Sequence, residues 1–215
     1  MVELFTAQGC ETCVPADETL SALAEREDVL VLSMHIDYWD YRGWEDPFAS
    51  SLHTERQRAY QRRLKSRFIY TPQIVIDGQE EVLGSQKDEA FAAVERTRGE
   101  PKIVQPELIM NDDGTATLIV PQVEDFRGEA TIWVALFDYD QETFVKAGEN
   151  AGRTLHNFNV VRDLMNLGTW TGERTEIPLD MEIAIAKGRE GCAILIQREG
   201  HGPIVGAVAE ALPSA

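Results

Sequence analysis

Cys10 and Cys13, separated by two residues, lie between the apolar run Val2-Glu3-Leu4-Phe5-Thr6 and a helix-like stretch that begins near Val14. This arrangement suits thiol–disulfide chemistry. A helix N-terminus carries a partial positive charge and free N–H groups, which favour thiolate over thiol. Cys10 is then the candidate nucleophile, expected to be exposed and partly ionised. Cys13, about one turn on, is the candidate resolving thiol, buried behind it. Further along comes Thr71-Pro72. A cis bond before Pro72 would turn the Thr71 carbonyl and N–H outward, where they can pair with an extended substrate.

Other chemistries compete for the pair. Half a zinc site needs a second pair of ligands, and no further C-x-x-C or C-x-x-H follows. A copper(I) site through two thiolates, with His35 or His53, agrees with soft-ligand preference. A static structural bridge is the third reading. The position of the pair at a strand-to-helix junction favours redox activity, with no metal and no organic cofactor.

The elements that must hold these residues follow from apolar periodicity. Val2 to Thr6 reads as a buried strand. Leu20, Leu23 and Ala24 recur at helical spacing between Val14 and Glu27. Val29 to Ile36 is an apolar run of the kind found in a central parallel strand. A second helix is expected over about 47–68. Gln73 to Asp77 and Glu80 to Gly84 form a hairpin across Asp77-Gly78, and Ser85 with Asp88 is placed to cap a third helix. Beyond Pro101 the segments shorten: Glu107 to Met110, Thr115 to Val120, Ala130 to Asp138, Asn157 to Arg162, Thr175 to Leu179, Cys192 to Gln197 and Ile204 to Ala209. Asn111-Asp112-Asp113-Gly114 reads as a turn. Such short strands suggest a sandwich-like all-β domain. The expected organisation is an α/β domain over 1–100 with a helical insertion near 47–68, followed by the β-sandwich-like domain over 101–215.

At −17 over 215 residues, the net charge argues against nucleic-acid and anionic-membrane partners. No apolar run approaches the roughly 20 residues that span a bilayer. Met1-Val2-Glu3 enters the first strand without a basic, apolar and small-residue leader, so the chain as written is expected in the cytoplasm, or in the periplasm if a leader has been removed. The third cysteine, Cys192, sits in a strand-like run and reads as a small buried hydrophobe. Between Arg56 and Arg67 the chain carries Arg56, Arg58, Arg62, Arg63, Lys65 and Arg67 with no acid among them. A solvated helix face is the favoured account of this run; the alternative is a site for an anion such as a glutathione-like carboxylate.

The order of elements, Cys10-Glu11-Thr12-Cys13, and Thr71-Pro72-Gln73-Ile74-Val75-Ile76-Asp77-Gly78 resemble the thioredoxin fold, the last segment being closest to glutaredoxins. More narrowly, three segments resemble a bacterial thioredoxin-like family of unknown function, DUF1223. They are Val2 to Cys10, His35-Ile36-Asp37-Tyr38-Trp39-Asp40 and Gly148-Glu149-Asn150-Ala151-Gly152-Arg153. The resemblance implies a thioredoxin-like N-terminal domain and thiol–disulfide exchange. Departures from thioredoxins are also plain. Glu11 and Thr12 replace Gly-Pro, Gly9 replaces the usual tryptophan, and Leu4 stands where thioredoxins bury an aspartate. Glu11, Asp17 and Glu18 add negative charge that would raise the thiol pKa.

The cluster His35, Asp37, Tyr38, Trp39, Asp40, Tyr41 and Trp44 follows the second strand. Trp39 and Trp44 are candidate cleft residues, although closing the core and making turns is the favoured role of the cluster. Glu149, Asn150, Arg153 and His156 read as a polar turn, with an interdomain contact near the active site as the alternative. The functional expectation is a thiol–disulfide oxidoreductase: Cys10 and Cys13 catalytic, Thr71 and Pro72 substrate-binding, and the partner a protein or a small thiol or disulfide. The alternative is a non-catalytic binding protein, such as a copper(I) carrier or interaction module.

Overall fold

A computed structural model of the chain describes residues 1–99, 101–111 and 114–213. Strand β1 (Val2–Thr6) is buried along its whole length, because helices cover both of its faces. It pairs in parallel with β2 (Val31–His35) and antiparallel with β3 (Gln73–Ile76). Helix α1 (Val14–Ala24), entered through a short 3-10 turn at Glu11–Cys13, makes the crossover between β1 and β2. Helix α2 (Ser51–Leu64) is capped by Ser50, whose Oγ accepts the Leu52 N–H at 3.2 Å. The β3–β4 (Glu80–Leu83) hairpin turns over Asp77, Gly78 and Gln79, with Ile76 paired to Glu80 and with Asp77 and Gly78 both at positive φ (50° and 67°). Helix α3 (Lys87–Arg98) starts one residue later than the capping expectation: Gln86 is its N-cap, and Ser85 does not cap it.

The pleat of β1 sorts its neighbours. Val2 and Leu4 face a core formed with Ala16, Leu20 and Leu23 of α1 and with Ala90, Ala93 and Val94 of α3. Glu3 and Phe5 point to the other face, where α2 lies. There Phe5 packs edge-on against Tyr60 at 6.0 Å between ring centroids, and Glu3 takes a buried Arg56 Nε–H at 2.5 Å and the Tyr60 hydroxyl.

The remaining strands are β5 (Glu107–Met110), β6 (Thr115–Val120), β7 (Ala130–Phe144), β8 (Thr154–Trp170), β9 (Thr175–Asp180), β10 (Gly191–Arg198) and β11 (Ile204–Ala211), with a short α4 (Glu182–Ala186). Asp112 and Asp113, in the middle of the expected turn, lie outside the described residues. Two sheets form: an eight-stranded mixed sheet ordered β11-β10-β7-β8-β2-β1-β3-β4, and a three-stranded sheet ordered β5-β6-β9.

This topology overturns the expected α/β thioredoxin-like N-terminal domain followed by a separate β-sandwich. Among the described residues strand outweighs helix, 39% against 23%, and β7, β8, β10 and β11 belong to the same sheet as β1 to β4. The physical cause lies in two strands that run far past their apolar segments. β7 covers 15 residues and β8 covers 17, and both keep their hydrogen-bonded ladders through polar stretches that read as strand ends. The chain clusters into two compact units, Met1–Glu100 with Tyr139–Val161, and Pro101–Asp138 with Arg162–Ala215. In the first, β8 pairs with β2 in parallel at Ser33 and Val160, and Asn159 Nδ2 donates to the Val31 carbonyl at 3.0 Å. In the second, Leu118, Val120, Ile132, Val134, Trp170, Ile194 and Ile196 share one core. Cys192 is buried there as expected, its thiol pushed up to about 12 by burial. Among the described residues, no helix is long and apolar enough to cross a membrane.

Candidate functional site

Cys10 and Cys13 form a disulfide at the junction of β1 and α1. Cys10 has extended backbone angles and Cys13 is the N-cap of α1, so the bridge closes over the first 3-10 turn. Both cysteines are fully buried, which departs from the expectation of an exposed Cys10. Thr71 Oγ1 donates to Cys10 Sγ at 3.5 Å. The Trp39 indole N–H in turn donates to Thr71 Oγ1 at 2.8 Å, and the Arg42 guanidinium stacks over the Trp39 ring at 4.7 Å. The Thr71–Pro72 bond is cis. Pro72 itself is buried, and its carbonyl accepts the Gly84 N–H at 2.9 Å.

A second layer comes from the loop between β7 and β8, in the same unit. Glu149 pairs with Arg42 and accepts the Glu11 N–H at 3.4 Å. Asn150 Nδ2 donates to the Gln8 carbonyl at 2.8 Å, and Arg153 donates to Asn150 Oδ1 at 3.0 Å. Gly148, at φ 76°, lies against Trp44, whose Cβ would stand 3.2 Å from an added Cβ. The polar turn at 148–153 therefore reaches the cysteine site through Gln8, Glu11 and Arg42.

Beneath the motif runs a buried polar network. Gln8 is its hub: its N–H donates to Asp46 at 2.8 Å, its side-chain amide donates to Asn157 at 3.0 Å, and its Oε1 accepts the Trp44 indole N–H at 3.1 Å. Asp46 also accepts from His35 Nδ1 at 2.7 Å and from the Phe48 N–H at 2.9 Å. Burial alone would raise the Asp46 carboxyl; the His35 ring and these donors outweigh it and hold the carboxyl below the ordinary value. His53 donates through Nδ1 to the His35 carbonyl at 2.9 Å, and burial depresses it to about 4.

Asp17 is the residue that sequence reasoning misplaced. Counted there as negative charge near the thiols, it is buried, and burial raises its carboxyl to about 7 against the opposing pull of His35 and of Thr6. The signal was in the sequence. Cys13, Ala16, Asp17, Leu20 and Leu23 fall at the spacing of one helix face, so Asp17 occupies the apolar stripe. Asp17 also lines a cleft of about 430 Å³ with Val14, Glu18, Arg153 and His156, and neither cysteine lines it.

The structure thus brings Cys10, Cys13, Thr71 and Trp39 together. Trp44 is drawn away to Gln8, and Pro72 supports the site from within. His35 and His53 are engaged with Asp46 and with the backbone. Among the described residues, no group of three or more His, Cys, Asp or Glu side chains is arranged to hold a metal ion.

Residues 1–197 match the family described as protein of unknown function DUF1223. The chain belongs to the DUF1223 family. A crystal structure of a protein from Agrobacterium tumefaciens is similar to this DUF1223 chain at 32% identity, with a TM-score of 0.84, covering 97% of this chain and 91% of the other. No curated protein matches. The segments Val2–Cys10, His35–Asp40 and 148–153 bring Gln8, Cys10, Trp39, Glu149 and Asn150 to the site described above, all in one compact unit, and Cys13, Arg42, Asp46 and Thr71 join it from outside them.

Proposed function

We propose that this protein is a thiol–disulfide oxidoreductase working through Cys10 and Cys13, with a protein or a small thiol or disulfide as its reaction partner. In the reducing direction the Cys10 thiolate attacks one sulfur of a substrate disulfide, and the other substrate sulfur leaves as a thiolate that takes a proton. Cys13, as thiolate, then attacks Cys10 Sγ. This restores the Cys10–Cys13 disulfide and releases the second substrate thiolate, which takes the second proton. Two electrons and two protons pass from the protein to its substrate, and an external dithiol or glutathione returns them.

The observation that carries this reading is the hydrogen-bond chain Trp39–Thr71–Cys10 converging on the bridge. A donor aimed at the sulfur stabilises a thiolate there more than a thiol. Asp17 supports the other half of the cycle. It lies one turn after Cys13 on the same buried helix face, and with a carboxyl near 7 it can take the Cys13 proton at neutral pH. Because Cys10 is covered, the partner must displace the layer made by Trp39, Arg42 and Glu149 before attack.

Trapping tests the proposal. A Cys13→Ser variant should accumulate mixed disulfides on Cys10, separable after alkylation and lost on reduction. No trapped partner, together with a reduction potential below about −300 mV for the wild-type pair, would mark the bridge as structural.

A further inference from the structure

The charge on this protein is segregated, and the segregation meets the cysteine site. Arg58, Arg62, Arg63, Lys65 and Arg67 are all exposed, on α2 and the loop that follows it. Among the described residues none of them forms an ion pair. Elsewhere several arginines are matched, Arg26 with Asp28 and Glu95, Arg96 with Glu80 and Glu89, and Arg174 with Glu176, while exposed Arg153 is bonded to the neutral Asn150. On a chain of net charge −17, acids to neutralise five clustered cations are plentiful, yet among the described residues none is held within ion-pair distance of them.

Local structure does not account for the cluster. The α2 dipole favours Arg62 and Arg63 in its last turn, but it does not explain Arg58 higher on the helix or Arg67 beyond it. Arg58 and Arg62 stand at i and i+4, where like charges repel. The loop brings Glu81 up to Ser66, but that carboxylate is held by Ser66 and Gln73. Glu55, three residues before Arg58, and the helix dipole offset part of the repulsion, but no ion pair closes on the row among the described residues.

The cluster borders the site. Gln57, beside Arg58, accepts the Tyr38 hydroxyl at 3.0 Å, and Arg58 is close enough to Tyr38 to pull against the rise that burial gives its hydroxyl. Tyr38 directly precedes Trp39, which holds Thr71 on Cys10. From the other end, Arg67 leads through Phe68, 60% exposed, to Tyr70 and Thr71. A chain lying across Thr71 to reach Cys10 would therefore pass the cations and an exposed aromatic ring.

We propose that this basic face docks an acidic polypeptide segment flanking the reactive cysteine of the redox partner, a step that rests on the thiol–disulfide reading above. A polypeptide fits better than a small anionic thiol. From Arg58 to Arg63 the helix rises about 7.5 Å, and Lys65 and Arg67 lie beyond, so one small ligand cannot engage the whole row. The strongly acidic remainder of the molecule repels long polyanions, which leaves a short acidic stretch as the matching partner.

Two synthetic peptides of one length, each with a single cysteine in a mixed disulfide, provide the test: one flanked by Asp and Glu, one by Asn and Gln. Exchange with reduced protein should be at least about 10-fold faster for the acidic peptide at low salt, and the ratio should collapse toward one as ionic strength rises. Arg62→Glu with Arg63→Glu should bring the ratio to one or below, and the Gln pair should fall between. Serine analogues of both peptides, titrated against oxidised protein by fluorescence anisotropy, read docking without chemistry. Equal rates and equal binding overturn the docking inference alone. Glutathione disulfide reacting with the same salt-dependent advantage overturns the choice of a polypeptide. Preferential binding of the acidic serine analogue without any exchange sustains the docking face and overturns the oxidoreductase reading.

Discussion

Asp17 and Thr71 set the chemistry at the level of single residues, and each makes a distinct prediction. Asp17 titrates near 7 in the folded protein and near 4 when unfolded. Below the unfolded value the group is neutral in both states. As pH rises through the window between the two values, only the unfolded chain ionises, so stability falls by an amount on the order of a few kcal/mol. His53 has the opposite slope: folded it titrates near 4, unfolded near 6.5, so its contribution is lost as pH falls through that range. In the native protein the two slopes oppose each other between about pH 4 and 6.5. Asp17→Asn should therefore be more stable than the parent above pH 7, and should lose stability on acidification because the His53 term stands alone. Thermal melts across pH check this, and a uniform shift at every pH would contradict it. For Thr71, removal of the hydroxyl in Thr71→Val should raise the Cys10 thiol pKa of the reduced protein by about 1 unit, with Thr71→Ser restoring it. The pH dependence of alkylation rate gives the answer.

At the scale of elements, the site is a junction between β1 and α1 that other elements cover and brace. The cover is the 3-10 turn at Asp40–Arg42, tied by Arg42 to Glu149. Glu149→Ala should loosen it and increase the rate at which a neutral alkylating reagent reaches the reduced cysteines by several-fold, with little change in melting temperature, because exposed ion pairs add at most about 1 kcal/mol. The brace is α2, which places Arg56 on Glu3 inside the sheet. Arg56→Ala leaves a buried carboxylate without its cation and should cost about 3–5 kcal/mol, measurable by denaturant unfolding. Gly84 is tied to the site by packing as well as by its N–H bond to the Pro72 carbonyl: an added Cβ would stand 2.9 Å from Ala16 Cβ and 3.0 Å from Pro72 Cβ. No larger residue fits without pushing α1 or Pro72 aside.

At the scale of the molecule, the compact unit that holds the cysteines is discontinuous in sequence, Met1–Glu100 completed by Tyr139–Val161. A fragment ending at residue 100 would lose the Asn157 and Asn150 bonds to Gln8, the Asn159 bond to Val31 and the β8 pairing with β2. It would also leave the buried strand β2 as an open edge. Such a fragment is expected to aggregate or to lack a cooperative melt, while the full chain melts cooperatively; a fragment as well folded as the intact unit would contradict this. The polar residues of 148–157 are inserted late in the sequence yet complete a site begun at Gln8, which is why the first hundred residues read alone look self-sufficient.

The sequence by itself determined the local elements. Apolar runs marked β1, β2 and β3, Asp77-Gly78 marked the hairpin, and the strand–helix junction marked Cys10 and Cys13, because each depends on neighbours a few residues away. Even Asp17 was legible as a member of the α1 apolar stripe, though its charge concealed it. Only the tertiary structure decided that Cys10 is buried, that Glu149 and Asn150 bond to Glu11 and Gln8 beside it, and that β7 and β8 run on to join one eight-stranded sheet. Those outcomes depend on hydrogen-bonded ladders and polar contacts between residues more than a hundred positions apart. Such partners are satisfied in space and leave no period along the chain.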